Sequence, residues 1–249
     1  MSKNKEKKPS KKVISNLVES YNAGDNINSE KMAILFTKNF PKHQLGWKVL
    51  GALYKAKGDY SRSLEASKKA IEINPLDAEA YNNLGNSMLD LNNSEEAEKY
   101  YKKAIEINPG TSEFHNNLGH LFVRYGRLDE AELSFKKSIQ LKLNYASPHA
   151  NFGEMLKSIG RIDEAEESFK RAIAIEPKNA NYYVSLGLVE RDFGRYTDAE
   201  TSYRKALALD PKNPHAHYNL GIVLFEHRHY EEAASHFNLT NQSHSKSFE

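Results

Sequence analysis

The sequence predicts an all-α protein, a solenoid of stacked helix–turn–helix units. Three observations carry that reading: small residues and prolines recur every 34 residues, apolar residues inside each period keep helical spacing, and no segment alternates as a strand would.

The period is set by three combs. Pro75, Pro109, Pro177 and Pro211 lie on the first, with Leu143 in the missing tooth. Gly51, Gly85, Gly119, Gly153, Gly187 and Gly221 form the second, and Ala97, Ala131, Ala165, Ala199 and Ala233 the third. Chance does not hold three combs in phase over so many periods. Six units follow, at 44–77, 78–111, 112–145, 146–179, 180–213 and 214–243. A looser helix pair, 13–43, precedes them and ends near Pro41. Residues 1–12 are expected to be a disordered basic tail and 244–249 a polar one.

Each period resolves into two helices. In 112–145, Phe114, Leu118, Leu121 and Phe122 share one face of a first helix, and Leu128, Ala131, Phe135 and Ile139 one face of a second. Gly126 between them supplies the left-handed conformation that ends a helix, as Gly58, Gly160 and Gly194 do elsewhere. Glu95, Asp129, Asp163 and Glu231 open the second helices, where the dipole favours negative charge. The unit-ending proline removes an N–H and stops the second helix. Pro148 after Ser147 and Pro214 after Asn213 are instead expected at the first helical position, behind an N-cap. The pairs predicted are 79–91/95–107, 113–125/129–141, 147–159/163–175 and 181–193/197–209. Helices cross closely only where side chains are small, so Gly119 and Ala131 are expected at a crossing flanked by Leu118, Phe122 and Phe135. No unit buries its own apolar face, so stability has to come from stacking.

Composition bounds the function. Of 249 residues, 39% are hydrophobic and 27% charged, which places the chain among ordinary globular sequences. It has no apolar run long enough to span a membrane and no secretory h-region. Without Cys, disulfides and thiolate metal sites are excluded. A cytoplasmic location is the simplest expectation. The net charge is +2, but residues 1–12 hold six Lys and one Glu, or +5, which leaves the remainder at −3. A mildly acidic body argues against nucleic acid, whose binding rests on neutralising phosphates. The lysine tail reads as a solvated leader.

The combs and their side chains identify a family resemblance. Trp47, Leu50, Gly51 and Tyr54, with Pro75 closing the unit, reproduce the pattern W-x2-L-G-x2-Y … P. Ala131-x3-Phe135, Ala165-x3-Phe169 and Ala233-x3-Phe237 reproduce its A-x3-F part, with Tyr101 and Tyr203 in place of Phe in two further units. Over about 44–243 the chain resembles the tetratricopeptide-repeat family. Ser63 and Ser67 depart from the pattern in the first clear unit, as do Ser138 and Leu143 in the third.

The resemblance implies a right-handed superhelix whose first helices line a concave groove. Counting each unit's first residue as position 1, positions 2, 5, 6, 9, 12 and 13 should face that groove. Position 6 reads Asn83, Asn117, Asn151 and Asn219, with Val49 and Ser185 interrupting. Asn82 and Asn116 come from position 5, Asn86, His120 and Glu154 from position 9, and Arg124, Lys157 and Arg191 lie further along. An amide offers two donors and an acceptor, so a row of Asn can bond the backbone of an extended peptide without reading its side chains. The repeat style and its asparagine row resemble those of O-linked N-acetylglucosamine transferases. The same residues also suit a plainer role, satisfying polar groups at the groove surface. A carboxylate clamp is not expected, because Lys48 and Asn83 fit it but Ala52, Glu113 and Asn117 do not.

Chemistry beyond binding finds no support. His115, His149 and His217 occupy the place of Trp47, where a packing role with one hydrogen bond is expected. His215/His217 and His227/His229 have i, i+2 spacing, which points the two rings to different sides of a helix, so no metal is expected. Glu95-Glu96 and Glu231-Glu232 fall at helix starts, as dipole partners. No phosphate loop, nucleophile elbow or zincin motif is present. The expectation is a scaffold without catalytic residues or cofactor, binding a protein or extended peptide. The alternative is a substrate-recruiting segment of a larger glycosyl-, sulfo- or hydroxylating transferase. At the C-terminal end the last helix is expected to dissolve after Phe237, uncovering Val223, Leu224 and Phe237. Self-association through the sixth unit, or its fraying, would follow.

Overall fold

The computed structural model describes residues 8–245, with side chains to residue 240. Among the described residues there are fourteen helices and no strand. They form an all-α solenoid of helix–turn–helix repeats. The chain divides into two compact units, Met1–Arg127 and Leu128–Glu249, and the division falls inside the repeat 112–145.

The first unit holds α1 (Lys11–Asn22), α2 (Asn26–Asn39), α3 (Gln44–Ala56), α4 (Tyr60–Ile73), α5 (Ala78–Asp90), α6 (Ser94–Ile107) and α7 (Ser112–Arg124). Its second helices begin on short polar caps. Asp25, Asp59 and Asn93 each accept a hydrogen bond from the N–H three residues on, satisfying a donor that the helix leaves free. Leu17, Phe36, Leu50 and Leu53 make the core of the first four helices, and Ala78, Ala104 and Phe114 that of α5 to α7.

The second unit holds α8 (Leu128–Leu141), α9 (Ala146–Ser158), α10 (Ile162–Ile175), α11 (Ala180–Asp192), α12 (Tyr196–Leu209), α13 (Pro214–Glu226) and α14 (Tyr230–Ser245). Here Arg161 and Arg195 stand at the cap position of α10 and α12 and make no cap bond. The core runs through Phe135, Phe169 and Tyr203, each fully buried, and the cluster of Leu220, Val223 and Leu224.

The turn inside each helix pair takes a left-handed residue. Gly58, Gly126, Gly160 and Gly194 do so at φ near 75°. Asn92 and Arg228 adopt it in the two units that lack the glycine, the Arg at a position that L side chains rarely occupy.

Where a glycine lies on the first helix, the crossing is close. A methyl group at Gly85 would fall 2.6 Å from the ring of Tyr101, and one at Gly187 2.6 Å from that of Tyr203. Position 4 also recurs as a tie to the preceding turn. Trp47 Nε1 donates to the carbonyl of Pro41 (3.1 Å) and Tyr183 Oη to that of Pro177 (3.2 Å), while His115 and His217 bond through Nε2 to the carbonyls of Pro109 and Pro211. His115 thus takes the packing role foreseen for these histidines, while His217 departs from the single bond expected of it and also bonds His236.

Several sequence expectations need correction. Residues 1–7 lie outside the described residues, but Lys11 and Lys12, assigned to the tail, open α1 behind Ser10, whose Oγ accepts the N–H of Val13. Pro148 is the third residue of α9 rather than its first, because the helix starts at Ala146. Pro214 does occupy the first position of α13, with Asn213 capping the N–H of Ala216. The closing proline is not required to end a second helix: α8 stops at Leu141, in register with the others, although Leu143 replaces the proline. The largest correction is at the C-terminal end. α14 continues past Phe237 to Ser245. Val223 and Leu224 are fully buried, and Phe237 packs against the last core cluster and the ring of Tyr218. The apolar side chains exposed there are Tyr218, Phe225, Tyr230 and Leu239 instead.

Candidate functional site

The first helices of consecutive pairs carry most of the residues expected to bind a partner, and in both units many of them bind one another. In the first unit, Asn82 is 3% exposed and its Oδ1 accepts from Nδ2 of Asn117, 2.9 Å away on the next first helix. Asn116 is also buried. Arg124 donates to the carbonyl of Leu89 (3.1 Å) and to the side chain of Asn92, so it neutralises the C-terminal end of α5 instead of pointing free. Asn86 Oδ1 accepts the hydroxyl of Tyr101 at 2.7 Å. Lys48 bonds Asp77 (3.0 Å) and Glu79 (2.6 Å). Burial opposes its charge, but those two carboxylates outweigh it and raise the pKa, so the lysine is committed within the chain.

Two groups of this face remain open. His120 is exposed, with an imidazole pKa lowered by partial desolvation and by the neighbouring Arg124. Asn83 is half-buried and its side-chain amide makes no hydrogen bond among the described residues. It borders a recess of about 310 Å³ lined also by Gly51, Ala52, Lys55, Ala56 and Ser63.

The second unit shows the same economy. Glu154 accepts from Ser185 Oγ (2.6 Å) and pairs with Lys157 (2.7 Å). Arg191 donates to Asn219 Oδ1 at 2.9 Å, and Asn219, 8% exposed, donates to the carbonyl of His215. Asn151 is half-buried on α9. The expected row of peptide-binding amides is therefore corrected: Asn82, Asn116 and Asn219 are buried, and Asn82, Asn117 and Asn219 act as joints between repeats. A buried amide has to find a partner, and the nearest polar groups belong to the adjoining helix.

Sequence reasoning missed a second ladder, carried mainly by the second helices. Arg127 pairs with Glu98, Arg161 with Glu132 and Arg195 with Glu166, the last by bonds of 2.5 and 3.2 Å. Each acid also meets the basic residue one turn on, Lys102, Lys136 or Lys170. The arginine bond is the largest cause holding each of these carboxyls below the usual range. At Glu200 burial works against the charge, yet Arg204 and His227 prevail and its pKa is lowered too. The signal was in the sequence, since both the arginines and the acids recur every 34 residues. The remaining surprise is Glu190, buried at a position where other repeats place Tyr54, Met88, Phe122 or Leu156. Desolvation pushes its carboxyl up, and Ser202 donates to it at 2.6 Å.

No group of three His, Asp or Glu side chains among the described residues could hold a metal ion. His217 faces His236, with Nδ1 atoms 2.8 Å apart, and His227 bonds Glu200. Against the expectation from i, i+2 spacing, the His227 ring also meets that of His229 edge-on, with centroids 6.3 Å apart. No helix among the described residues is long and apolar enough to cross a membrane.

A solenoid of helix pairs in 34-residue register, with polar joints between first helices, defines a helical-repeat protein. Family comparison gives the class a name. A model described as TPR repeat matches residues 51–92, 153–190 and 187–227, and two described as tetratricopeptide repeat match 78–110 and 100–132. The chain belongs to the tetratricopeptide-repeat family. Comparison with curated protein sequences gives no match. Among solved structures, the Cut9-Hcn1 hetero-tetramer of the APC/C is similar with a TM-score of 0.78 at 17% identity, over 91% of this chain and 45% of that one. The chain thus spans less than half the length of that relative. A tetratricopeptide repeat protein from Parabacteroides merdae is similar with a TM-score of 0.69 at 18% identity, over 93% and 92% of the two chains. PilF of Pseudomonas aeruginosa is similar with a TM-score of 0.63 at 25% identity, over 67% and 76%.

Proposed function

We propose that the chain is a protein-interaction scaffold, and that the first-helix face of its first unit takes an extended segment of a partner protein. The family supports the scaffold in general terms. The observation that carries the face is the unbonded amide of Asn83 beside an open recess, with His120 exposed on the same set of helices. The neighbouring polar groups are committed to one another, which holds this surface in one arrangement before a partner arrives.

A role without catalysis fits the electrostatics. Strongly displaced titrations often mark active sites. Here several displaced groups belong to structural pairs, Lys48 with Asp77 and Glu79, and Glu98, Glu132 and Glu166 with their arginines, while burial in the helix packing displaces Glu190, Tyr101 and Tyr203.

Site-directed photocrosslinking in native lysate tests the face. A photoreactive residue at Ala56, exposed on the first-helix face, is expected to capture a discrete partner, and one at Lys99, exposed on α6, is not. Capture at Lys99 with none at Ala56 would move the binding surface to the second helices.

A further inference from the structure

The recess beside Asn83 has a structural origin. In four repeats the first-helix glycine faces an aromatic ring: Gly85 faces Tyr101, Gly153 Phe169, Gly187 Tyr203 and Gly221 Phe237. The repeat 44–77 has Ser67 instead. A methyl at Gly51 would meet only its Oγ at 2.9 Å before reaching the backbone of α4 at 3.6 Å. The groove-side positions of the same helix are small as well. Ala52 stands where Asn86 receives the Tyr101 hydroxyl in the next repeat, and Ala56 lies one turn further on. With small residues at Gly51, Ala52, Ala56 and Ser63, about 310 Å³ is left open, in the lower range of small-ligand pockets.

The walls indicate what fits. Gly51, Ala52 and Ala56 present a flat apolar surface suited to an aromatic face. At the rim, Asn83 offers an amide with no bond among the described residues, and Lys55 reaches Asp90 only at 3.6 Å. Ser63 is not available, because its hydroxyl already donates to the carbonyl of Gly51 at 2.8 Å. A purely aliphatic side chain would leave the rim groups without partners, and a phenol can give and accept a bond there. The next repeat provides the precedent within the molecule: its own tyrosine lies under the glycine with the hydroxyl on an asparagine.

We propose that this recess is a side-chain pocket for an aromatic residue, tyrosine above all, of the bound segment. The partner's ring meets Gly51 and Ala52 from the groove side, where neighbouring repeats set their own ring against the glycine from within. This rests on the first-helix face being the binding face, and its test is independent of any natural partner.

The full chain, labelled at alanine methyl groups, is titrated with N-acetyl-tyrosinamide and, separately, with N-acetyl-leucinamide, and followed by NMR. The tyrosine amide is expected to give saturable shifts at the Ala52 and Ala56 methyls, with the leucine amide about tenfold weaker. Ala52→Leu, which narrows the recess from the surface, is expected to abolish the shifts. Ser67→Tyr should do the same by restoring the internal ring; if that variant misfolds, Ala52→Leu alone decides. Absence of saturation, equal binding of both amides, or shifts that survive Ala52→Leu would overturn the pocket. A chain that crosslinks a partner through Ala56 yet ignores the tyrosine amide keeps the binding face and loses the pocket.

Discussion

The crossing of α3 with α4 and that of α11 with α12 occupy the same place in the repeat and are built in opposite ways. Between α11 and α12 a buried tyrosine ring meets Gly187, the hydroxyl of Tyr203 has no hydrogen-bond partner among the described residues, and Glu190 is buried beside Ser202. Between α3 and α4 two serines replace the alanine and the ring, and Ser63 bonds both the carbonyl of Gly51 and Ser87 (3.3 Å). The first crossing fills its space and leaves polar atoms under strain of desolvation. The second satisfies its polar atoms and leaves space. A repeat pattern thus fixes where two helices meet, while the side chains at the meeting point decide between packing and access.

Alanine at the two glycines separates these designs most sharply. At Gly187 a methyl would intrude on a ring atom at 2.6 Å, and a ring locked by its neighbours cannot move aside. Overpacking of that kind costs ~1–3 kcal/mol, and the gain in helix propensity returns only about 1 kcal/mol. Gly187→Ala is therefore expected to lower the urea midpoint. Gly51→Ala meets only a serine hydroxyl that can rotate, so the propensity gain should dominate and the midpoint should hold or rise. Equal losses at both sites would mean that the α3/α4 crossing is as tightly packed as the other.

The tyrosines give a smaller contrast with opposite signs. Tyr101→Phe removes a 2.7 Å bond to Asn86 and should cost about 1 kcal/mol, the usual worth of such a bond. Tyr203→Phe removes a buried hydroxyl without a partner, which is a cost of desolvation, and should be neutral or stabilising. Burial raises the pKa of both phenols, so the difference lies in the acceptor and not in the depth. Thermal unfolding of the two variants side by side decides it, and a loss at Tyr203 as large as at Tyr101 would require a partner for that hydroxyl.

The fold was legible because its determinants are local and periodic. Helix pairs predicted at 79–91/95–107 and 181–193/197–209 lie one residue earlier at most ends. That offset reflects caps such as Asp77 and Asn179, which close the first turn sooner than the apolar pattern suggests. The binding face was legible only as a set of positions. Asn82 and Asn83 are adjacent and chemically identical, yet one is buried against Asn117 and the other faces a recess. That difference depends on which residues of the two adjoining repeats lie opposite, which a periodic reading of a single unit does not contain. The recess was visible only as a departure, Ser63 and Ser67, and its consequence needed the neighbouring small side chains in space.

The crossing of α13 with α14 offers the finest test, since it packs a ring as α11/α12 does but places titratable groups beside it. Phe237 meets Gly221, and next to it the imidazoles of His217 and His236 lie 5.1 Å apart with Nδ1 atoms 2.8 Å from each other. One nitrogen of that contact has to be unprotonated to accept, so the pair needs at least one neutral ring. Burial lowers the pKa of His236 first, the His217 ring and Arg204 push the same way, and Glu232 opposes them. A histidine whose folded pKa lies below its free value near 6.5 binds fewer protons folded than unfolded. Its contribution is therefore complete above that free value and is lost as pH falls below it. Amide protection in α13 and α14 is expected to weaken between pH 7 and pH 5 while that in α5 and α6, which carry no histidine, holds, by less than a single hydrogen bond is worth. His236→Gln should remove this pH dependence without abolishing the crossing, because Phe237 still fills the space at Gly221. The acids of the arginine ladder, held below the usual carboxylate range, stay charged over this window. Protection that falls equally in α5 and α6 would therefore make the effect a general one, and the histidine pair would then be a packing contact like those at His115 and Trp47.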